Sequence, residues 1–248
     1  MKIALICSDR GPCPPVRGGA IQLLIAKIAP LLAETHQVTV FSITDPKLPV
    51  QETVEKVTYI RFPKAKFLEE VCAYLKEHPV DIIQLYNRPT WIKRLKKASP
   101  QAKIVLSLHN RIKPNDRRGI KAQLKEADKI LTVSRFIIRD TITSCQVPSL
   151  KNKFKVMYTG ADHHEYAPIW SKQGKKWREE IRKKHGIGEE EAVVLFVGRL
   201  VSYKGCHILL EALKKKLGID RKVTLLIVGS KWYANHEKDR YIHHLELL

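Results

Sequence analysis

Two cations five residues apart, Arg199 and Lys204, stand between an apolar run at 192–197 and a helix-periodic stretch that starts at Gly205. A guanidinium, an ammonium and the open amides of a helix N-terminus can converge on one anion with several charged oxygens, such as a diphosphate. Charge-assisted hydrogen bonds are worth about 1.5–3 kcal/mol each, so such a cluster can supply much of a diphosphate's binding. The competing reading is a solvated pair of surface cations. Three other places have the same character. The loop 8–19 (SDRGPCPPVRGG) ends in Gly18-Gly19 before a helix, where missing side chains let a phosphate approach backbone N–H groups. Its spacing matches neither GxGxxG nor a Walker A loop, and a purely structural Gly-Gly turn fits it equally well. His109-Asn110 follows the strand-like KIVLSL, which puts an imidazole where it can donate a hydrogen bond or accept a proton; a histidine bonded within its own loop is the equal alternative. Gly229-Ser230 follows a further apolar run and is weak by itself.

The elements that must position these groups alternate short apolar strands with amphipathic helices. Strands are expected at 2–7, 37–43, 57–61, 81–85, 103–108, 129–133 and 154–157, and again at 192–198 and 222–228. Helices are expected at 20–33, where Pro30 is a candidate kink or stop, at 66–77, 89–97, 134–143 with Ser134 as N-cap, 175–185 and 205–217. This order implies right-handed βαβ crossovers and a mostly parallel sheet covered on both faces. In such sheets ligands bind beyond the carboxyl ends of the strands, where all four candidate places fall.

Composition narrows the classes. The 248 residues include 45 Lys+Arg and 25 Asp+Glu, a formal charge of +20, with 44% hydrophobic and 28% charged residues. That composition suits a globular chain and excludes disorder and low-complexity classes. Basic runs lie at 88–97, 111–125 and 172–184, which favours anionic partners without naming one. Nucleic acid rests on charge alone, since no RNA-binding core, Cys/His finger or basic-region zipper is present. The five cysteines are odd in number and widely spaced, with no zinc spacing, so reduced thiols are expected. His163-His164 and His243-His244 are adjacent pairs with no carboxylate cluster to complete a ligand set, so no metal is expected.

Taken together, Gly18-Gly19, His109, Val133-Ser134, the turn Thr159-Gly160-Ala161-Asp162 and above all FVGRLVSYKGCHILLEAL at 196–213 resemble the retaining GT-B fold glycosyltransferases of family 4. Tyr86-Asn87-Arg88-Pro89 with His109-Asn110 further resembles the spore-coat glycosyltransferase-like proteins. The resemblance implies an α/β chain of GT-B type, with one complete Rossmann-like parallel-sheet domain and the first part of a second. The expected boundaries are 1–167 for the acceptor-side domain, 168–190 for a basic linker and 191–248 for a partial, truncated donor domain. It also implies a nucleotide-diphosphate sugar donor, with Gly18, Gly19, Arg199 and Lys204 at its diphosphate and His109 near the reacting carbon. Arg88, Asn110 and Ser134 would contact sugar or acceptor, and neither metal nor other cofactor would be needed.

Two departures qualify the likeness: Thr159 replaces the usual Asn of the turn, and the family's spaced glutamate pair appears only as Glu69 and Glu77, in a helix of the first domain. The expected activity is hexose transfer with retention to an acceptor that is anionic or membrane-associated. A non-catalytic spore-coat-like structural role is the alternative. The expected location is cytoplasmic, at a membrane periphery or in the spore coat, with self-association favoured if the second domain leaves a sheet face open.

Overall fold

The computed structural model describes residues 1–216, 223–231 and 237–248. The chain divides into two compact units, Met1–Gly160 and Ala161–Leu248.

The first unit runs β1 (Lys2–Ile6), α1 (Ala20–Ala33), β2 (Gln37–Ile43), β3 (Gln51–Val54), β4 (Val57–Phe62), α2 (Phe67–Glu77), β5 (Ile82–Tyr86), α3 (Ile92–Ala98), β6 (Lys103–Leu108), α4 (Ile120–Glu126), β7 (Lys129–Thr132), α5 (Arg135–Ser144) and β8 (Phe154–Val156). Its eight strands form one sheet in the order β3-β4-β2-β1-β5-β6-β7-β8. Every neighbouring pair is parallel except β3 with β4. Alternation along β1 explains the two layers. Ile3, Leu5 and Cys7 face a core shared with Ile25, Ala29 and Ala33 of α1, whereas Ala4 and Ile6 face a second core shared with residues of α2 to α5. From β1 the chain proceeds to β2 on one side and later to β5 on the other. The topological switch therefore lies between β1 and β5, with the loops after both strands at its mouth.

The second unit contains α6 (Lys172–Lys184), β9 (Ala192–Val197), α7 (Cys206–Lys216), β10 (Val223–Val228) and α8 (Arg240–Leu247). β9 and β10 pair in parallel, with Val197 opposite Val228. One face carries Phe196 onto a small core of Leu200, Cys206, Ile242 and Leu245. On the strands themselves Leu195, Val197 and Val228 are 58%, 69% and 54% exposed.

The periodic elements sit where the sequence puts them, within a few residues. Pro30 lies inside α1 without ending it, because the stripe Ile25, Ala29 and Ala33 keeps the helix on the sheet. The hairpin β3–β4 was not expected: its turn residues Glu55 and Lys56 both have positive φ, 49° and 64°, without the Asn or Gly that signals a type I′ turn. Short α8 was not expected either. The end of the helix anticipated to 217 and the start of the strand anticipated from 222 lie outside the described residues.

Candidate active site

At the switch point of the first unit, β1 delivers the loop 8–19 and β5 delivers Asn87-Arg88. Gly18 and Gly19 have φ of 89° and 142°, values that L side chains rarely adopt, and Gly19 is the N-cap of α1 with no side-chain cap. A Cβ on Gly19 would come 2.5 Å from Oε1 of Gln22, a buried polar residue that also donates to the Gly11 carbonyl at 3.4 Å. The loop is anchored from below by Arg61, whose side chain is fully buried. Its Nε and Nη2 donate to the Cys13 carbonyl at 3.1 and 2.8 Å, Nη1 donates to the Pro49 carbonyl at 2.6 Å, and Nη2 pairs with Glu52 at 2.5 Å.

His109 follows β6 directly and is half-buried. Its backbone N–H donates to Oδ1 of Asn87 at 2.7 Å, and its ring lies 5.9 Å from that of Tyr86. Burial holds the imidazole below its usual pKa of 6.5, so at neutral pH the ring is uncharged and offers one N–H donor and one acceptor. The buried Tyr86 hydroxyl has no hydrogen-bond partner among the described residues, and burial raises its pKa. Arg88, expected at sugar or acceptor, has its guanidinium on Asp9: Nε donates to Oδ1 at 2.8 Å, Nη2 reaches the same oxygen, and Nη1 donates to the Asn87 carbonyl at 3.0 Å. Trp91 lies 5.7 Å from the guanidinium. Asn110 is exposed beside His109. Ser134 caps α5, its Oγ accepting from the Ile137 N–H at 3.3 Å.

In the second unit Arg199 and Lys204 both lie in the segment between β9 and α7. Arg199 Nε donates to the Lys231 carbonyl at 3.0 Å and Nη1 to the Tyr203 hydroxyl at 3.4 Å. Lys204 closes a short 3₁₀ turn, Ser202–Lys204, and Gly205 then takes a left-handed φ of 76° before α7 begins. The loop after β10 runs against this segment, since Gly198 N–H donates to the Val228 carbonyl at 3.0 Å and Leu200 N–H to the Ser230 carbonyl at 3.1 Å. Gly229, at φ 154°, is the hinge of that contact: a Cβ there would stand 1.8 Å from the Gly198 carbonyl oxygen. This gives the weak Gly229-Ser230 signal a physical reason.

Sequence reasoning missed Asp9, Asn87 as a hydrogen-bonding group, Gln22 and Arg61. Only Asn87 carried a local signal, an asparagine between a strand and Arg-Pro, where left-handed backbone is tolerated. The others depend on pairings across the sheet. The His163-His164 pair has a carboxylate neighbour that its sequence reading did not count. Asp162 supplies a carboxylate to the His163-His164 pair, and the three ligand atoms lie within 4.8 Å of one another. All three residues are exposed, and Asp162 Oδ1 is already engaged by the His164 N–H at 3.0 Å. Among the described residues no helix is long and apolar enough to cross a membrane.

A parallel sheet with candidate loops at its switch point, followed along the chain by a second β/α unit with an Arg/Lys loop, fits an α/β chain of GT-B type. Comparison with known proteins agrees. Residues 18–165 match the profile of Glycosyltransferase Family 4, and residues 177–248 that of Glycosyl transferases group 1. The chain therefore belongs to glycosyltransferase family 4. It is 41% identical to spore coat protein SA and 39% identical to the putative glycosyltransferase YtcC, both of Bacillus subtilis, over its whole length. It spans 66% and 61% of those two relatives. Among solved structures, Anabaena HepE in complex with UDP-glucose superposes with a TM-score of 0.68 at 20% identity, covering all of this chain and 65% of that one. The lipopolysaccharide outer core galactosyltransferase WaaB superposes with a TM-score of 0.61 at 17% identity, again over all of this chain and 64% of its own.

Proposed function

We propose that this chain forms the acceptor-side domain and the diphosphate-binding segment of a retaining hexosyltransferase that uses a nucleoside diphosphate sugar. The observation that carries the reading is the Gly198–Gly205 segment. Its Arg199 is oriented by a backbone carbonyl, and it leads through Lys204 into the N-terminus of α7. Arg199 and Lys204 neutralise the departing diphosphate, which is where charge develops as the bond from the sugar's anomeric carbon to phosphate oxygen breaks. The acceptor hydroxyl forms the new bond from the same face, and its proton passes to the departing phosphate oxygen. Neutral His109 donates a hydrogen bond to the transferring sugar, and Gly18-Gly19 leave room for the donor at the first turn of α1. UDP-glucose, the ligand of HepE, is the first donor to try.

Calorimetric titration of UDP-glucose and other nucleotide sugars tests this. Lys204→Ala should weaken binding by about 1.5–3 kcal/mol, the value of a charge-assisted contact. No heat with any nucleotide sugar, or an unchanged affinity in the variant, defeats the reading for this chain. A non-catalytic coat role is the second reading, favoured by the name of the 41% identical relative. Donor turnover in a transfer or hydrolysis assay separates the two.

A further inference from the structure

The ladder between β5 and β6 contains an irregularity that falls on the candidate site. Tyr86 stands opposite Ser107, and the Asn87 N–H donates to the Ser107 carbonyl at 2.9 Å. The next rung of a parallel ladder would join the His109 N–H to the Asn87 main-chain carbonyl. Asn87 instead turns left-handed, at φ 53°, and its side-chain Oδ1 takes the His109 N–H at 2.7 Å. The displaced Asn87 carbonyl is taken by Nη1 of Arg88 at 3.0 Å, and the same guanidinium grips Asp9 on the loop after β1. One dipeptide thus ties together the strand end that carries His109 and the loop that carries Gly18-Gly19. A non-glycine residue in left-handed backbone costs free energy, and such strain collects where a fixed geometry is required.

We propose that Asn87 is the positioning residue for His109: its amide oxygen replaces a main-chain acceptor, so that β6 ends and the imidazole leaves the sheet one strand beyond the switch point. This rests on the reading above that His109 faces the transferring sugar. Asn87 itself contacts His109 backbone, and its role is exerted through that residue.

Asn87→Gly is the sharpest test, because glycine accepts φ 53° and only the acceptor is lost. In the 248-residue chain, N87G is expected to shift the titration of the His109 ring, read by NMR without any donor. It should also lower kcat for sugar transfer at least about tenfold with donor KM little changed, the signature of a misplaced group. Asn87→Asp keeps the oxygen, so it should retain most of kcat at neutral pH while raising the His109 pKa through the nearby carboxylate. An N87G chain whose His109 titration and kcat match the parent overturns the proposal. So does an N87D chain as damaged as N87G while still folded. If the parent chain binds no donor, the functional reading fails, and the NMR titration still decides whether Asn87 governs His109.

Discussion

In the first unit the candidate groups are held by side chains. Asp9, Asn87, Arg88 and His109 form one chain of hydrogen bonds across β1, β5 and β6, and Arg61 fixes the loop beneath them from inside the core. In the second unit backbone has the larger share of the corresponding work. Arg199 bonds a main-chain carbonyl besides the Tyr203 hydroxyl, and two loops lie together because Gly229 has no side chain to meet the Gly198 carbonyl. The supporting cores differ as well: two layers of buried residues flank the eight-stranded sheet, whereas among the described residues one small cluster supports the two-stranded pair. The first site is set by specific pairings and should respond to their removal. The second is set by close approach and should respond to added bulk.

The largest effect should come from Arg61→Ala. Removing the guanidinium leaves the Cys13 and Pro49 carbonyls and Glu52 without their donor, and breaking a buried pair on one side costs about 3–5 kcal/mol. Urea denaturation should show that loss. A change below about 1 kcal/mol would mean that the loop after β1 is not anchored from the core.

Gly229→Ala tests the other side of the contrast. The new Cβ would meet the Gly198 carbonyl oxygen at 1.8 Å in a backbone conformation that alanine resists, so the loops must part. A loss of about 3 kcal/mol is expected, with faster hydrogen exchange confined to β9, β10 and their loops. Exchange spreading equally into β1 and β5 would break the distinction between the units.

The layered sheet was legible because buried parallel strands are continuous apolar runs and their crossover helices carry an apolar stripe. The runs at 37–43 and 103–108 match β2 and β6 residue for residue. The candidate cations, glycines and histidine were legible as residue types at strand ends. Their partners were not, because Asp9 meets Arg88 across 79 residues of chain and Arg61 meets Cys13 across 48. No periodicity reports such pairings. The β3–β4 turn was hidden for a different reason: tertiary pairing imposed left-handed backbone on Glu55 and Lys56, whose local preference is otherwise.

The smallest effect, and the most specific to the first site, concerns acid. Burial lowers the His109 pKa in the folded chain below the ordinary 6.5, so the unfolded chain takes up its proton first as pH falls. The stability that the neutral ring contributes is therefore complete above about pH 6.5 and is lost as pH drops towards the folded value. Transfer should follow the same limb, since the protonated ring still donates but sets a positive charge beside an anomeric carbon that itself turns positive as its bond to phosphate breaks, and kcat should fall on the acid side with a midpoint below 6.5. His109→Gln should abolish that limb while leaving nucleotide affinity near the parent value, because the diphosphate is assigned to Arg199 and Lys204. An acid limb that survives the substitution would move the titrating group elsewhere and would remove the contrast between a site tuned by burial and one held by fixed cations.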